Sequence, residues 1–200
     1  MRLSCFLFIS LFAAGSEGFE YYSLSASGGV NKVLDAKEFN LGHSLSFNFK
    51  SYTDYFYIGG SLGIIGNTYE DPASVESFSQ YPLLFAAGTS HPFDGDNLDL
   101  RRYYLGAGIG LVSGELSRDF ESPGGRILKH YSCFNYGFLI EGGFLFNFLT
   151  ECLFIGPRAE FRFNSFTFKD EAFSGDRFMR DYKGSGFMIG VDVSYFIGLI

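Results

Sequence analysis

The sequence predicts an all-β chain, an eight-stranded antiparallel up-and-down transmembrane β-barrel. Three observations predict it. Composition is rich in aromatics and glycine, with 26 Phe, 13 Tyr and 26 Gly against only 18% charged residues, which favours strands and turns over surface helices. Apolar and polar residues alternate along segment after segment, the period of a strand with two unlike faces. The connections between segments alternate between short and long, as in a barrel whose two rims differ.

The amino-terminal stretch "MRLSCFLFISLFAAGSEG" is set apart from this pattern. A basic residue, Arg2, precedes a run of apolar residues from Cys5 to Ala14 and then small residues, the order of a secretory signal peptide. The run is shorter than the ~20 residues of a membrane-spanning helix. Residues 1–18 are expected to be cleaved, leaving a barrel domain over 19–200. Two cysteines then remain, Cys133 and Cys152.

Strands are expected at about 20–30, 40–50, 53–66, 79–90, 99–113, 130–148, 151–167 and 184–199. Turn-type residues separate them. The connections "KSYTD", "HPFDGDN" and "FLTE" are short, and those near 31–39, 67–78, 114–129 and 168–183 are longer and polar. Both chain ends then fall on one side, with the long loops on the other. Phe173, Phe178 and Met179 in the last loop leave two readings open, apolar contacts for an extracellular ligand or a fold back over the barrel mouth.

The faces of the strands point the same way. In the last strand Phe187, Ile189, Val191, Val193, Tyr195 and Ile197 share one side and Gly190, Asp192 and Ser194 the other. The seventh strand, "LFIGPRAEFRF", sets Leu153, Ile155, Pro157, Ala159, Phe161 and Phe163 against Arg158, Glu160 and Arg162. In hydrocarbon only a closed barrel leaves no unpaired backbone edge, so the apolar side meets lipid and the charged side lines the interior. An eight-stranded barrel is narrow enough for side chains to fill.

The expected inward charges are Arg102, Arg158 and Arg162 with Glu141, Glu160 and Asp192. Buried charges are tolerated when paired. A turn centred on Leu149 and Thr150 would set Glu141 directly across from Arg158. Glycines 106, 108 and 110 would make room for the arginines and Tyr104. The same register separates Cys133 from Cys152 by roughly 46 Å at ~3.3 Å per residue, far beyond disulfide reach, so two free thiols are expected. Pro157, which has no ladder hydrogen bond to give, is expected to mark a bulge or register break.

With "RRYYLGAGIGLVSG" and the carboxy-terminal "GVDVSYFIGLI", the chain resembles the small eight-stranded outer-membrane barrels of the OmpA, OmpX, OmpW and opacity type. The resemblance implies a bacterial outer-membrane location, a monomer among outer-membrane lipids, and delivery by the outer-membrane assembly machinery. It departs from the family at its end, where Ile200 replaces the usual terminal aromatic. The implied function is non-enzymatic, a structural or surface-interaction barrel with a charge-plugged lumen. An OmpW-like passage for small hydrophobic molecules is the alternative: a paired plug at mid-barrel favours the first reading, and an apolar funnel open from the loop side the second.

Other chemistries have thinner support. "KHYSC" places His130 and Ser132 on one face, the lipid-side one, where they read as a polar strand end at the headgroups; the pair also resembles the His-x-Ser motif of lipid A deacylase barrels. Cys133 stands where that family has Asn, and the nearest downstream acid, Glu141, has the opposite parity, so a base would lack its orienting acid. The turn Asp94 to Asp99 crowds carboxylates without the spacing of a calcium loop, and no metal or cofactor is expected. A formal charge of −7 argues against nucleic acid as partner. A soluble lipocalin-like barrel would wear the polar face outward and wrap the apolar one around a ligand.

Overall fold

A computed structural model describes residues 21–34, 40–53, 55–71, 74–93, 101–122, 124–169, 179–182 and 184–198. The signal segment, the Asp94 to Asp99 turn, Phe173, Phe178 and Ile200 lie outside the described residues. The strands are β1 (Tyr21–Val33), β2 (Gly42–Tyr52), β3 (Phe56–Asp71), β4 (Ser74–Pro92), β5 (Arg102–Ser122), β6 (Gly125–Phe148), β7 (Thr150–Phe163), β8 (Phe166–Lys169), β9 (Met179–Tyr182) and β10 (Gly186–Gly198). Eight of them close a barrel in the order β1-β10-β7-β6-β5-β4-β3-β2, and β8 pairs with β9 in a separate two-stranded ribbon. Every neighbouring pair is antiparallel.

The barrel wears its apolar side outward. Phe47, Leu62, Leu105 and Phe138 are exposed, while Ser27, Asn48, Glu141 and Asp192 are buried, the inverse of a lipocalin-like barrel. Outward apolar residues on β7 run from Leu153 to Phe163, about 33 Å of strand at ~3.3 Å per residue, or about 25 Å of height at a ~40° tilt. At the short-turn rim a chain of ring contacts links Tyr55 to His91, His91 to Tyr103, Tyr103 to Phe93 and Phe93 to Phe144 and Phe146. Aromatic girdles of this kind mark the interfaces of membrane barrels.

Two of the expected long loops are strand. Residues 67–71 and 74–78 continue β3 and β4, and most of 114–129 continues β5 and β6, joined where Ser122 pairs with Gly125. Gly125 has φ 118°, a conformation that favours glycine. Both hairpins therefore project beyond the apolar band. The seventh expected strand divides at Asn164 and Ser165, after which β8 begins, and Met179 belongs to β9 rather than to a loop.

The register across β6 and β7 also differs from expectation. Glu141 stands opposite Glu160, and Arg158 opposite Gly143, because the register shifts between Asn147 and Phe148 beside the turn residue Leu149 (φ 64°). The irregularity lies at that turn and not at Pro157, where the β7–β10 register continues through Val191. On the β6 side the recorded pairs lapse between Gly143↔Arg158 and Phe146↔Ile155 and resume in the same register. The missing proline donor thus costs a local gap and leaves the alignment intact.

Candidate functional site

The barrel interior is layered. Nearest the short turns, Tyr52, Tyr57, Tyr104, Leu145, Phe154 and Phe196 form one buried cluster. Toward the opposite rim Phe78, Leu84, Val112, Leu116 and Leu139 pack with Phe166 and Phe168 of β8. The β8–β9 ribbon thereby caps the interior. Between these layers lies a buried ion network.

Glu141 on β6 is its centre. Its Oε1 meets Lys50 Nζ of β2 at 2.8 Å and accepts the Tyr57 hydroxyl at 2.8 Å, and its Oε2 meets Arg158 Nη2 of β7 at 2.7 Å. The same Arg158 Nη2 lies 2.6 Å from Glu160 Oε1, which explains how two carboxylates directly opposite each other are tolerated. Arg158 Nη1 donates to Ser27 Oγ at 2.7 Å and lies 3.9 Å from Asp192. Glu160 also pairs with Arg162. Ser27 donates to Asp192 at 3.3 Å and Tyr104 donates to it at 3.4 Å. Lys50 sits over the Tyr104 ring at 3.9 Å and the Tyr57 ring at 4.6 Å, so its charge is held by aromatic faces as well as by a carboxylate.

Of the expected set, Glu141, Arg158, Glu160, Arg162 and Asp192 come together. Arg102 is instead buried nearer the short-turn rim, with its guanidinium over the Tyr52 ring at 5.2 Å. Lys50 supplies the cation across the lumen. Sequence reasoning set it where the expected second strand, 40–50, meets the turn "KSYTD", and did not count it among the inward charges although it continues the inward parity of Ser44, Ser46 and Asn48. The glycines also serve other neighbours than expected. A Cβ at Gly106 would overlap the Tyr57 hydroxyl, and one at Gly143 would come within 2.8 Å of the Tyr104 hydroxyl.

Above the ions, Asn31 and Asn67 exchange hydrogen bonds, and Asn164 donates to Gln80 at 2.9 Å. A cavity bordered by Lys50, Ser61, Leu139 and Glu141 leaves about 10 Å³, as does one bordered by Asn31, Gln80, Arg162 and Met188. Each is the room of about one water molecule.

His130 and Ser132 lie on the outer face of β6 within a continuous strand, not at a strand end. The His130 Nδ1 meets Ser117 Oγ of β5 at 2.7 Å. Ser132 stands directly across from Glu115, which receives a 3.3 Å hydrogen bond from Tyr81. Glu115 is the acid that a search downstream along the chain missed, since it reaches this face only through pairing with the preceding strand. Cys133 and Cys152 are free thiols. Among the described residues no three His, Cys, Asp or Glu side chains gather as metal ligands.

No protein-family model matches the sequence, and no curated protein matches it. Solved structures do match the fold. The Ail attachment invasion locus protein of Yersinia pestis superposes with a TM-score of 0.50 at 14% identity, covering 88% of this chain and 99% of Ail. A major outer membrane protein from Thermus thermophilus gives 0.50 at 11% identity, with 88% and 99% covered. At such identities the likeness establishes the fold alone, a closed eight-stranded antiparallel β-barrel.

Proposed function

We propose that this protein is a bacterial outer-membrane β-barrel, exported by its amino-terminal signal segment, with a lumen sealed by the Glu141-centred ion network. It serves as a structural or surface-interaction barrel, monomeric among outer-membrane lipids. The single observation that carries this reading is the Lys50–Glu141 pair at 2.8 Å, made between strands four places apart around the eight-stranded ring in either direction. That contact joins opposite walls at mid-barrel, with packed side chains on both sides of it.

The outward apolar band and the aromatic rim support a membrane location. An apolar passage finds less support, because the apolar cluster under the ribbon is packed rather than open. The reading requires no catalysis.

The test is fractionation of expressing cells followed by gel migration with and without heating in detergent. An outer-membrane fraction with a heat-modifiable band is the expected result. A soluble protein without a heat shift would refute the reading.

A further inference from the structure

Where β7 ends, its ladder with β6 ends too, and Asn135 of β6 donates instead to the Ser165 carbonyl oxygen. The last recorded β6–β7 pair is Phe138↔Phe163, while β6 continues beyond it to Gly125. Phe134 and Tyr136, just above that pair, are 78% and 68% exposed, the two most exposed aromatic side chains among the described residues. They stand at the upper limit of the apolar band.

Directly above and beside them the outer face turns polar across three strands. Tyr81 of β4 holds Glu115 of β5 at 3.3 Å, Ser132 faces Glu115, and Ser117 holds His130 at 2.7 Å. These groups are positioned by cross-strand contacts before any ligand arrives, which lowers the cost of binding. If the apolar band lies in hydrocarbon, as the proposed function holds, the layer beside these residues is the headgroup layer. The position itself then names the class of occupant.

Charge narrows it further. Among the described residues Glu115 meets a neutral phenol rather than a cation, so a phosphate would face an uncompensated carboxylate. A neutral polyhydroxyl headgroup would instead donate to Glu115, exchange hydrogen bonds with Ser132 and His130, and lay its C–H faces on exposed rings. We infer that this patch on β4, β5 and β6 binds the sugar headgroup of an outer-leaflet glycolipid.

The test uses the full mature chain in nanodiscs of phosphatidylcholine, phosphatidylglycerol and digalactosyl diacylglycerol, with retained lipids counted by native mass spectrometry. The expected result is an enrichment of the galactolipid over phosphatidylcholine of about fivefold, close to 1 kcal/mol. It should fall toward unity in Glu115→Gln combined with Phe134→Leu, and persist in His43→Ala on the opposite wall. These positions are exposed, and a heat-modifiable band checks that each variant folds. Enrichment of phosphatidylglycerol, equal retention of all three lipids, or loss in the His43 variant would overturn the inference while leaving the membrane barrel standing. Failure of the wild type to enter nanodiscs would overturn the membrane reading itself, and this inference with it.

Discussion

Lys50 and Glu141 approach to 2.8 Å from opposite walls of the barrel. An ion pair between neighbouring strands would line a pore, whereas this one crosses it. Both side chains are almost fully buried, at 4% and 1% exposure, so neither charge has bulk water to fall back on. Removing one partner from such a pair typically costs about 3–5 kcal/mol, because the other charge is left buried. Glu141→Gln is therefore expected to lower stability by that amount, and Lys50→Met combined with Glu141→Gln by less than the sum of the two single changes. Urea titration of the barrel in lipid vesicles, arranged as a double-mutant cycle, measures this coupling; additive losses would sever the pair.

The two tyrosines over Lys50 depend on missing side chains. Gly106→Val would drive a branched side chain into the Tyr57 hydroxyl, and Gly143→Val into that of Tyr104. Each is expected to cost about 1–3 kcal/mol by overpacking. A change at Gly124, where an added Cβ meets nothing within 4 Å, serves as the comparison, and unfolding midpoints should separate the first two from the third.

Phe166 is seated between Gly114 and Gly184, with a Cβ at Gly114 falling 2.7 Å from its ring, and it stacks edge-on against Phe78. Cys133 packs against the same cluster, whereas Cys152 is exposed near the opposite rim. A polar maleimide should label Cys152 readily and Cys133 slowly in the folded barrel. Phe166→Ala should speed labelling of Cys133 several-fold and leave Cys152 unchanged. Equal rates for both thiols in the wild type would mean that the ribbon does not cap the interior.

The outer band can be probed by charge. Leu105→Arg places a cation on the exposed apolar face, where arginine near the bilayer midplane costs about 2–4 kcal/mol. The same substitution at Ser79, which stands beside Glu115 at the edge of the apolar band, should cost less than about 1 kcal/mol. Folding yields into lipid vesicles are the measurement, and equal yields for the two variants would remove the lipid-facing assignment.

Much of the fold was legible in the sequence because a strand between an apolar outer face and a packed polar interior must alternate. Ser44, Ser46 and Asn48 against Leu45, Phe47 and Phe49 reveal two faces at sight, and so do Arg158, Glu160 and Arg162 against their apolar neighbours. Beyond the apolar band that constraint ends. In 67–78 and 114–129 both faces are free to be polar, so strand residues there carry the composition of loops, and the two hairpins were read as connections. Lys50 was hidden for a related reason, since "KSYTD" has turn composition although its first residue keeps the inward parity.

Register was the hardest quantity to read. The parity of Glu141 and Arg158 was right, yet their level was not, because the ladder beyond the irregularity at Asn147 and Phe148 stands two positions from the expected one, which keeps every face unchanged. Long side chains absorb that displacement: Arg158 still reaches Glu141 at 2.7 Å along the diagonal. The ion network therefore depends more on which face a residue occupies than on its rung.

Planar-bilayer recording of the purified barrel tests the sealed lumen most directly. The wild type is predicted to show no steady conductance, and a Lys50→Ala, Glu141→Ala variant that retains its heat-modifiable band should admit ions. A stable open channel in the wild type would contradict the account.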